Sequence, residues 1–350
     1  MTSLGWSDSL TAAESAEVNS VVAAAHAADG VGPVSDDVAL TVRPGAGPTP
    51  GRFHLLATDP AAGGSAASSA ASDVTGYAHL AHAGDGAWEA ELVVRPDRRR
   101  RGVGSALVEA LLQRAAGESS AEVAAPASPA TLSLWAHGDS AAAAALAARV
   151  GFERGRVLLQ LRRPLVADAG SAQDEPAKDE LPEPTWPAGV TVREFEPGRD
   201  EQAWLALNAR AFASHPEQGR WTEQDLLPRE AEPWFDPAGF FLAERDGELI
   251  GFHWTKVHAE DPAPPGGRPG QGQAPAVGEV YVVGVDPAGA GGGLGRALTL
   301  AGLRYLRGRG LATVMLYADE DNAHAVRMYE RLGFTRYAVD AQYRRHVAVS

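Results

Sequence analysis

The stretch from Gly278 to Leu298 constrains the fold more than any other, because it joins a strand, a glycine-rich turn and a helix. The residues from Val280 to Val285 are mostly β-branched or aromatic, which is typical of a strand. A glycine-rich run follows, and apolar residues then recur at helical spacing from Leu294 to Tyr305. This order directs free backbone N–H groups and the positive end of a helix toward one point, so it predicts a site that binds an anion.

The turn does not fit two common nucleotide motifs. A P-loop ends in Gly-Lys-Ser or Gly-Lys-Thr, whereas Gly295-Arg296-Ala297 stands here, and no register of the run gives the G-x-G-x-x-G/A pattern of dinucleotide sites. Gly293-Leu294-Gly295 fits the glycines of a pyrophosphate loop for acetyl-CoA, with the pattern (Gln/Arg)-x-x-Gly-x-Gly/Ala. For this stretch alone, an ordinary loop of small residues is the alternative.

The same layout occurs a second time, earlier in the chain. Five residues of the earlier copy match five of the later copy at one constant offset: Val94, Pro96, Gly102, Gly104 and Leu107 match Val285, Pro287, Gly293, Gly295 and Leu298. Downstream, Arg149 to Phe152 parallels Arg331 to Phe334, again at one offset. The period is too long for a solenoid and predicts the duplication of a whole domain.

Each copy resembles a GNAT-family acetyltransferase domain, in which the pyrophosphate loop and helix are followed by a strand and a Tyr-x-x-x-Gly-Phe segment. Tyr329 to Phe334 supplies that segment in the second copy. Four further segments of the second copy resemble the mycothiol synthase family, which are tandem GNAT enzymes of actinobacteria: residues 215–221, 251–256, 279–287 and 317–327. The resemblance implies an α+β fold of two tandem GNAT domains, each a twisted mixed β-sheet flanked by helices.

The resemblance also implies a reaction. It is the transfer of an acetyl group from acetyl-CoA to the cysteinyl amine of 1D-myo-inositol 2-(L-cysteinylamino)-2-deoxy-α-D-glucopyranoside, a thiol pseudodisaccharide, in the last step of mycothiol biosynthesis. Two alternatives stay open. The chain could acetylate another small amine or a protein N-terminus, or it could be a non-catalytic acyl-CoA sensor.

The composition disfavours several classes of binding partner. The net charge of −14 disfavours nucleic acid and anionic membranes, and no apolar run reaches the ~18 residues of a transmembrane span. The chain has no cysteine, so neither a disulfide nor a thiolate ligand is expected. We expect no metal. Because residues 1–8 lack the features of a signal peptide, we expect a cytoplasmic protein, and we expect a monomer.

The length of 350 residues allows two domains of ordinary size. Residues 166–188 are rich in acidic residues, Pro and Ala and show no periodicity, which is typical of a linker. The sequence therefore predicts an N-terminal GNAT domain over residues 1–165, this linker, and a C-terminal GNAT domain over residues 189–350.

Acetyl transfer to an amine requires a base for the amine and an acid for the departing thiolate. Strict strand alternation places Glu279, before the pyrophosphate loop, on one face with Tyr281, Val283 and Val285. An α-amino group titrates at about pH 8, so Glu279 is the candidate general base, directly or through a water; a solvated edge carboxylate is the alternative. By resemblance Tyr329 is the acid, and a core aromatic is its alternative.

By resemblance, both copies hold acetyl-CoA. The expected contacts in the first copy are Leu92, Val93, Val94, Arg100, Arg101, Gly102, Val103, Gly104 and Ser105. The expected contacts in the second copy are Val283, Gly284, Val285, Ala290, Gly291, Gly292, Gly293, Leu294, Gly295, Arg296, Asn322, Ala323, His324, Ala325, Val326 and Arg327. The backbone N–H groups of Val283 to Val285 would bind the pantetheine arm and the thioester oxygen.

The resemblance places five residues on the acceptor substrate: Asp36, Glu217, Lys256, Glu279 and Tyr317. Carboxylates with Lys and Tyr donors suit a polyol that carries an amine. The chain has 31 Lys and Arg residues, and Lys256 and Lys178 are its only lysines. A lysine in so arginine-rich a chain indicates a need for a compact ammonium, although a chance survivor is the alternative.

The two copies depart from the family pattern in different ways. The second loop has Ala290, Gly291 and Gly292 where Gln or basic residues are usual, so backbone amides must carry most of the pyrophosphate binding. The first copy keeps a basic run before Gly102, but Asp139 and Ala147 stand near the family's Asn and Tyr positions. We therefore expect the first domain to be degenerate, binding CoA without catalysis, and the second to be catalytic.

Overall fold

The computed structural model describes residues 2–59, 73–84, 86–121, 130–165, 181–213, 218–258, 276–289 and 291–347. The chain forms two compact units: unit 1 comprises Met1–Leu158 and Ala338–Ser350, and unit 2 comprises Leu159–Tyr337. From Ala338 onward the final strand therefore belongs to unit 1, although the sequence repeat assigns it to the second copy. No helix in the described ranges is both long and apolar enough to cross a membrane.

Unit 1 is a mixed sheet with helices packed against it. Its elements are β1 (Ser3–Ser7), α1 (Ala12–Asp29), α2 (Asp36–Thr41), β2 (Arg52–Asp59), β3 (Asp73–Gly84), β4 (Ala87–Val94), α3 (Val103–Ala121), β5 (Ala130–Ala136), α4 (Ala141–Arg149) and the first part of β6 (Glu153–Pro164). The strand order is β1-β2-β3-β4-β5, and the last strand of the chain, β12, follows beside β5. The β4–β5 pair is parallel, and the other neighbours in this order are antiparallel.

Unit 2 repeats this plan. After the second part of β6, its elements are β7 (Val190–Glu194), α5 (Glu201–Ala211), α6 (Glu223–Glu230), β8 (Phe240–Arg245), β9 (Glu248–His258), β10 (Val277–Val285), α7 (Leu294–Gly308), β11 (Thr313–Asp319), α8 (Ala323–Arg331) and the start of β12 (Thr335–Val347). The strands lie in the order β11-β10-β9-β8-β7, and β10–β11 is the parallel pair. The predicted α+β fold is confirmed in both units.

Two helices show how local sequence fixes the element ends. Thr11 begins α1 with a capping box, since its side chain accepts from the amide of Glu14 and the Glu14 carboxylate accepts from the amide of Thr11. The short α2 begins after Ser35, whose hydroxyl accepts from the amide of Val38. A six-residue helix such as α2 is too short to show a period, so periodicity alone does not predict it.

The sheet of unit 2 separates two apolar cores. On one face Trp204 of α5 packs with Phe252 and Trp254. On the other face Leu294 and Leu298 of α7 pack against the sheet. Each large side chain that is fully buried in this way contributes roughly 1.5–3 kcal/mol. The two cores therefore hold β9 and β10 in place between α5 and α7, and these strands carry the candidate site.

Candidate active site

The parallel strands β10 and β11 separate after a short paired stretch. Their pairing runs from Val277 opposite Thr313 to Val280 opposite Leu316. Beyond it, β10 continues to Val285 and β11 continues to Asp319. Where paired strands part, the N–H and C=O groups that faced the neighbour become available to a ligand. The end of β10 can therefore bind an extended substrate arm through its backbone, as the sequence predicts for Val283 to Val285.

A β-bulge at Tyr281 interrupts β10 just beyond this point. Its pairing with β9 is regular on both sides of the bulge: Glu279 lies opposite Lys256, Val280 opposite Thr255, Val282 opposite Trp254 and Val283 opposite His253. Two residues of β10 thus advance where β9 advances one. Such an insertion reverses the alternation of side chains beyond it.

The bulge corrects one prediction about Glu279. Strict alternation placed it on the same face as Val283 and Val285, and this was wrong. The register puts Glu279 on the face of Val282, which packs in the Trp204 core. Val283 and Val285 instead pack against the core of α7. Glu279 therefore faces the side of the sheet that α5 and α6 cover.

Glu279 is a buried carboxylate with one identified partner. Its side chain is 7% exposed, and its Oε2 lies 2.7 Å from Nε2 of His258, which is 32% exposed. Across the strand pair it lies opposite Lys256, which is itself buried. The sequence predicted Glu279 and Lys256 as site residues, and the structure brings them together. It adds His258, which no motif distinguished.

Two aromatic rings lie close to the Lys256 ammonium. The Nζ atom lies 4.9 Å from the ring centre of Trp234 and 5.3 Å from that of Tyr281, within the range of cation–π attraction. The hydroxyl of Tyr281 accepts a hydrogen bond of 2.9 Å from Nε of Arg229, and that guanidinium lies 4.2 Å from the ring centre of Trp221. Beside Glu279 the structure thus forms a wall of rings and cations that suits a hydroxyl-rich ligand.

The two predicted tyrosines have different surroundings. Tyr317 follows the last paired residue of β11, is 39% exposed, and accepts a hydrogen bond of 2.7 Å from Nε2 of Gln160. Tyr329 of α8 is buried and packs edge-on against Phe334. Burial raises the pKa of Tyr329, so its phenol keeps its proton at neutral pH.

The predicted pyrophosphate loop of the second copy contains three consecutive glycines for a conformational reason. Gly291, Gly292 and Gly293 have φ values of +126°, +60° and +82°, in the region that other L-residues rarely adopt. Gly293 precedes α7 without a side-chain cap. The amide of Leu294 donates to the carbonyl of Gly291 at 3.3 Å, so the next two amides of the first turn, those of Gly295 and Arg296, are the candidates for a ligand. Arg296 is exposed in the first helical turn. Backbone amides at a helix N-terminus suit a pyrophosphate, as the sequence predicted.

The other predicted CoA contacts of the second copy that the structure describes lie on β10, α7 and α8. Val283 to Val285 end β10, and Leu294 to Arg296 begin α7. Asn322 caps α8, because its Oδ1 accepts a hydrogen bond of 3.1 Å from the amide of Ala325. The residues from Ala323 to Arg327 form the first part of that helix. Ala290 lies outside the described residues.

The predicted pyrophosphate loop of the first copy contains two kinds of arginine. Arg98 pairs with Asp73 at 2.9 Å and Arg99 pairs with Asp29 at 2.6 Å. Arg100 and Arg101 are exposed, and no partner is identified for them among the described residues. Arg100 also has a φ of +63°, which is strained for a residue with a Cβ.

The other predicted contacts of the first copy lie beside these arginines. Leu92 to Val94 end β4, and Gly102, with a φ of +89°, precedes Val103 at the start of α3. Gly104 and Ser105 occupy the first turn of that helix, and the hydroxyl of Ser105 accepts from Arg149. The strand end, the loop and the helix start thus have the same order here as in unit 2.

Unit 1 contains a counterpart of Glu279 that the sequence comparison missed. By strand register this is Glu89, which lies opposite Ala81 on β3 and opposite Ser133 on β5. No register shift occurs between β3 and β4 over residues 87–94, apart from the one near Gly84. The bulge in β10 therefore changes the offset between the copies by one residue before Val282, which hid the match.

The Glu89 carboxylate accepts two hydrogen bonds from side chains of unit 1. Its Oε1 accepts from Nε1 of Trp135 and, at 2.9 Å, from Nε2 of Gln342. Ala81 stands where unit 2 has Lys256. Unit 1 thus keeps an acid at this register but lacks the lysine opposite it.

A second group of buried charges lies deeper in unit 1. His137 lies with its Nδ1 3.1 Å from Asp340 and its Nε2 3.5 Å from Glu91. The amide of Gly138 donates to Asp340 at 2.8 Å, and that of Ser35 donates to Glu91 at 2.7 Å. Burial alone would lower the pKa of His137, but the two carboxylates outweigh it and raise the pKa to about 10. His137 is therefore an imidazolium at neutral pH.

Two further predicted substrate residues are not among the contacts described above. Asp36 is the first residue of α2 and belongs to unit 1. Glu217 lies outside the described residues. Among the described residues, no group of three or more His, Cys, Asp or Glu side chains could hold a metal ion.

Comparison with known proteins agrees with the geometry. A model of the acetyltransferase (GNAT) family matches residues 203–334, and a model of an acetyltransferase (GNAT) domain matches residues 55–154. A solved tandem GNAT protein from the clavulanic acid biosynthesis pathway is similar in fold, with a TM-score of 0.66 and 20% identity over 99% of this chain and 100% of that one. A GCN5-related N-acetyltransferase from Sphaerobacter thermophilus gives 0.65 and 22% over 98% and 96%. Fold and site define a tandem GNAT acetyltransferase with acetyl-CoA as co-substrate, as predicted.

Sequence relatives identify the family within that class. The mycothiol acetyltransferase of Parafrankia sp. is 57% identical over 99% of this chain and 99% of its own length. That of Frankia alni is 55% identical over 97% and 94%, and that of Thermomonospora curvata is 53% identical over 97% and 96%. The chain belongs to the mycothiol acetyltransferase family, as the four segments of the second copy indicated.

Proposed function

We propose that this chain transfers the acetyl group of acetyl-CoA to the cysteinyl amine of 1D-myo-inositol 2-(L-cysteinylamino)-2-deoxy-α-D-glucopyranoside, in the last step of mycothiol biosynthesis. The observation that carries the proposal is the 57% identity, over nearly the full length, to the mycothiol acetyltransferase of Parafrankia sp.. The buried Glu279, placed just before β10 and β11 part, supports an acceptor amine at this point. The proposal includes a cytoplasmic monomer, and the net charge of −14 supports its lack of nucleic acid and anionic membrane partners.

Glu279 is the proposed general base. One of its carboxylate oxygens takes a proton from the ammonium, and the freed nitrogen attacks the thioester carbon. Backbone N–H groups of Val283 to Val285 would stabilise the charge that develops on the thioester oxygen. Tyr329 would donate to the departing sulfur, a role that its buried, protonated phenol supports. The amides that begin α7 would hold the pyrophosphate.

The proposed acceptor contacts are Asp36, Glu217, Lys256, Glu279 and Tyr317. The ring-bounded ammonium of Lys256 supports a contact with the hydroxyls of a sugar or inositol, because aromatic walls favour a ligand with apolar faces and polar edges. Tyr317 supports a second contact, because it is 39% exposed and follows the last residue of β11 that pairs with β10.

We propose different roles for the two copies. The N-terminal domain would bind CoA through Arg100 and Arg101 without catalysis, and the C-terminal domain would be catalytic. The bound carboxylate of Glu89 supports this division. So does the lack of a tyrosine at Ala147, the counterpart of Tyr329 at the downstream offset.

The test is acetylation of the cysteinyl pseudodisaccharide, followed by mass spectrometry, by the wild type and Glu279→Gln. We expect Glu279→Gln to keep its fold and its KM for acetyl-CoA while kcat falls about 10²–10⁴-fold, the span for a lost general base. Glu248→Gln, the same change at an exposed site on β9, is the control and should keep full kcat. Full kcat in Glu279→Gln would reject the base. Faster acetylation of other small amines or peptide N-termini by the wild type would reject the substrate.

A further inference from the structure

His258 contacts the proposed base, Glu279, but the reaction described above gives it no role. It is the last residue of β9 and lies opposite Val277, so its side chain is on the same face as Glu279, one diagonal step away. The Nε2–Oε2 distance of 2.7 Å is typical of a charge-assisted hydrogen bond to a carboxylate.

We propose that His258 is a positioning residue that orients Glu279 for proton removal, an inference that rests on the proposed function. A carboxylate on a strand can rotate about its side-chain torsions, and a general base must hold one lone pair toward the proton it takes. The hydrogen bond from His258 holds Oε2 and leaves Oε1 for the acceptor ammonium. An N–H bond of the ammonium breaks, an O–H bond forms on Oε1, and the nitrogen lone pair then attacks the thioester carbon.

The two units support a functional role for this contact. In unit 1 the corresponding carboxylate, Glu89, receives donors from Trp135 and Gln342 on the same oxygen, Oε1. Both donors belong to fixed strands, β5 and β12, so Glu89 is held as a structural acceptor. In unit 2 the donor is a partly exposed histidine at a strand end, and Lys256 lies opposite the acid. The donors to the acid at this register therefore come from β5 and β12 in unit 1. In unit 2, which is proposed to be catalytic, the donor comes from β9.

The test compares three substitutions at one position. His258→Ala removes the donor and should lower kcat by about 10–100-fold, the cost of a misplaced catalytic group, with the KM for acetyl-CoA unchanged. His258→Gln can place an N–H near the position of Nε2 and should stay within about threefold of the wild type. His258→Asn, whose amide lies one bond nearer the backbone, should behave like His258→Ala. In the Glu279→Gln background, His258→Ala should cause no further loss, because the two residues act as one unit.

Each outcome decides between the hypotheses. Wild-type kcat in His258→Ala would overturn the positioning role. Equal loss of kcat in His258→Ala and His258→Gln, together with a lowered Tm in both, would assign His258 to stability alone and also overturn it. If His258→Ala does not fold, the contrast between His258→Gln and His258→Asn carries the test. Full activity of Glu279→Gln would reject the proposed base itself, whereas an inactive Glu279→Gln beside a normal His258→Ala would reject only the role of His258.

Discussion

The glycine run before α7 allows a quantitative test. Gly293 has a φ of +82°, and a Cβ built on it meets no atom within 4 Å, so Gly293→Ala introduces backbone strain without a clash. A left-handed conformation costs a residue with a Cβ roughly 1–2 kcal/mol. Gly308→Ala is the matched control, because Gly308 ends the same helix, also has open space around its Cβ and has no positive φ.

The strain energy must appear in one of two measurements. If the loop keeps its shape in Gly293→Ala, the folded state is destabilised by about 1–2 kcal/mol, which lowers Tm by roughly 2–8 °C in a unit of this size. If the loop relaxes instead, it must return to the left-handed shape to bind pyrophosphate as proposed, and the KM for acetyl-CoA should rise by about 5–30-fold. If the loop relaxes only in part, the same strain energy is divided between the loss of stability and the rise in the KM for acetyl-CoA.

The assay is a thermal scan together with turnover at varied acetyl-CoA, for the wild type, Gly293→Ala and Gly308→Ala. Gly308→Ala should keep the KM for acetyl-CoA and should leave Tm equal or slightly higher, since alanine reduces the entropy of the unfolded chain. Wild-type Tm and wild-type KM together in Gly293→Ala would show that the left-handed backbone at Gly293 is not required, and would refute the explanation of the glycine run.

Two further predictions concern Lys256 and His137. Lys256→Ala should raise the KM for the pseudodisaccharide by about 10–150-fold, since one charged hydrogen bond is worth about 1.5–3 kcal/mol, and should leave the KM for acetyl-CoA unchanged; Lys256→Arg should be impaired as well, and a fully active arginine variant would contradict the role. The folded-state pKa of His137, about 10, lies above the ordinary value of 6.5, so its contribution to stability is complete below pH 6.5 and is lost as the pH rises toward 10. The free energy of unfolding, measured in denaturant from pH 6 to 10, should fall less steeply in His137→Gln than in the wild type; parallel curves would show that His137 is not the group responsible.

The sequence predicts the parts of the fold that have strong local signals. The strand, glycine loop and helix from Gly278 onward combine β-branched residues, consecutive glycines and an apolar period, and all three occur where expected. The duplication gives a second, independent estimate of the same elements. By contrast, β1 is five residues long and α2 is six, and segments of that length carry too few side chains to show a period.

The candidate site could be predicted only in part. Glu279 and Lys256 were identified from the resemblance, but their pairing across β9 and β10 is a tertiary fact. The bulge at Tyr281 has no sequence signal of its own here, because no glycine marks it, and it reversed the predicted face of Val283. His258 was missed because a histidine at a strand end has many possible roles, and only its distance from Glu279 selects one of them.

The assignment of β12 to unit 1 has a consequence for the order of events during synthesis. β12 pairs with β5 from Ala341 opposite Ala136 to Val347 opposite Ala130, so unit 1 lacks one of its strands until residues 341–347 are made. Unit 2, which ends at Tyr337, is complete before that. While the ribosome makes the intervening residues, β5 would lack this neighbour, and an open strand edge is the kind of surface at which nascent sheets aggregate. The domain that is translated first is therefore the one that is completed last.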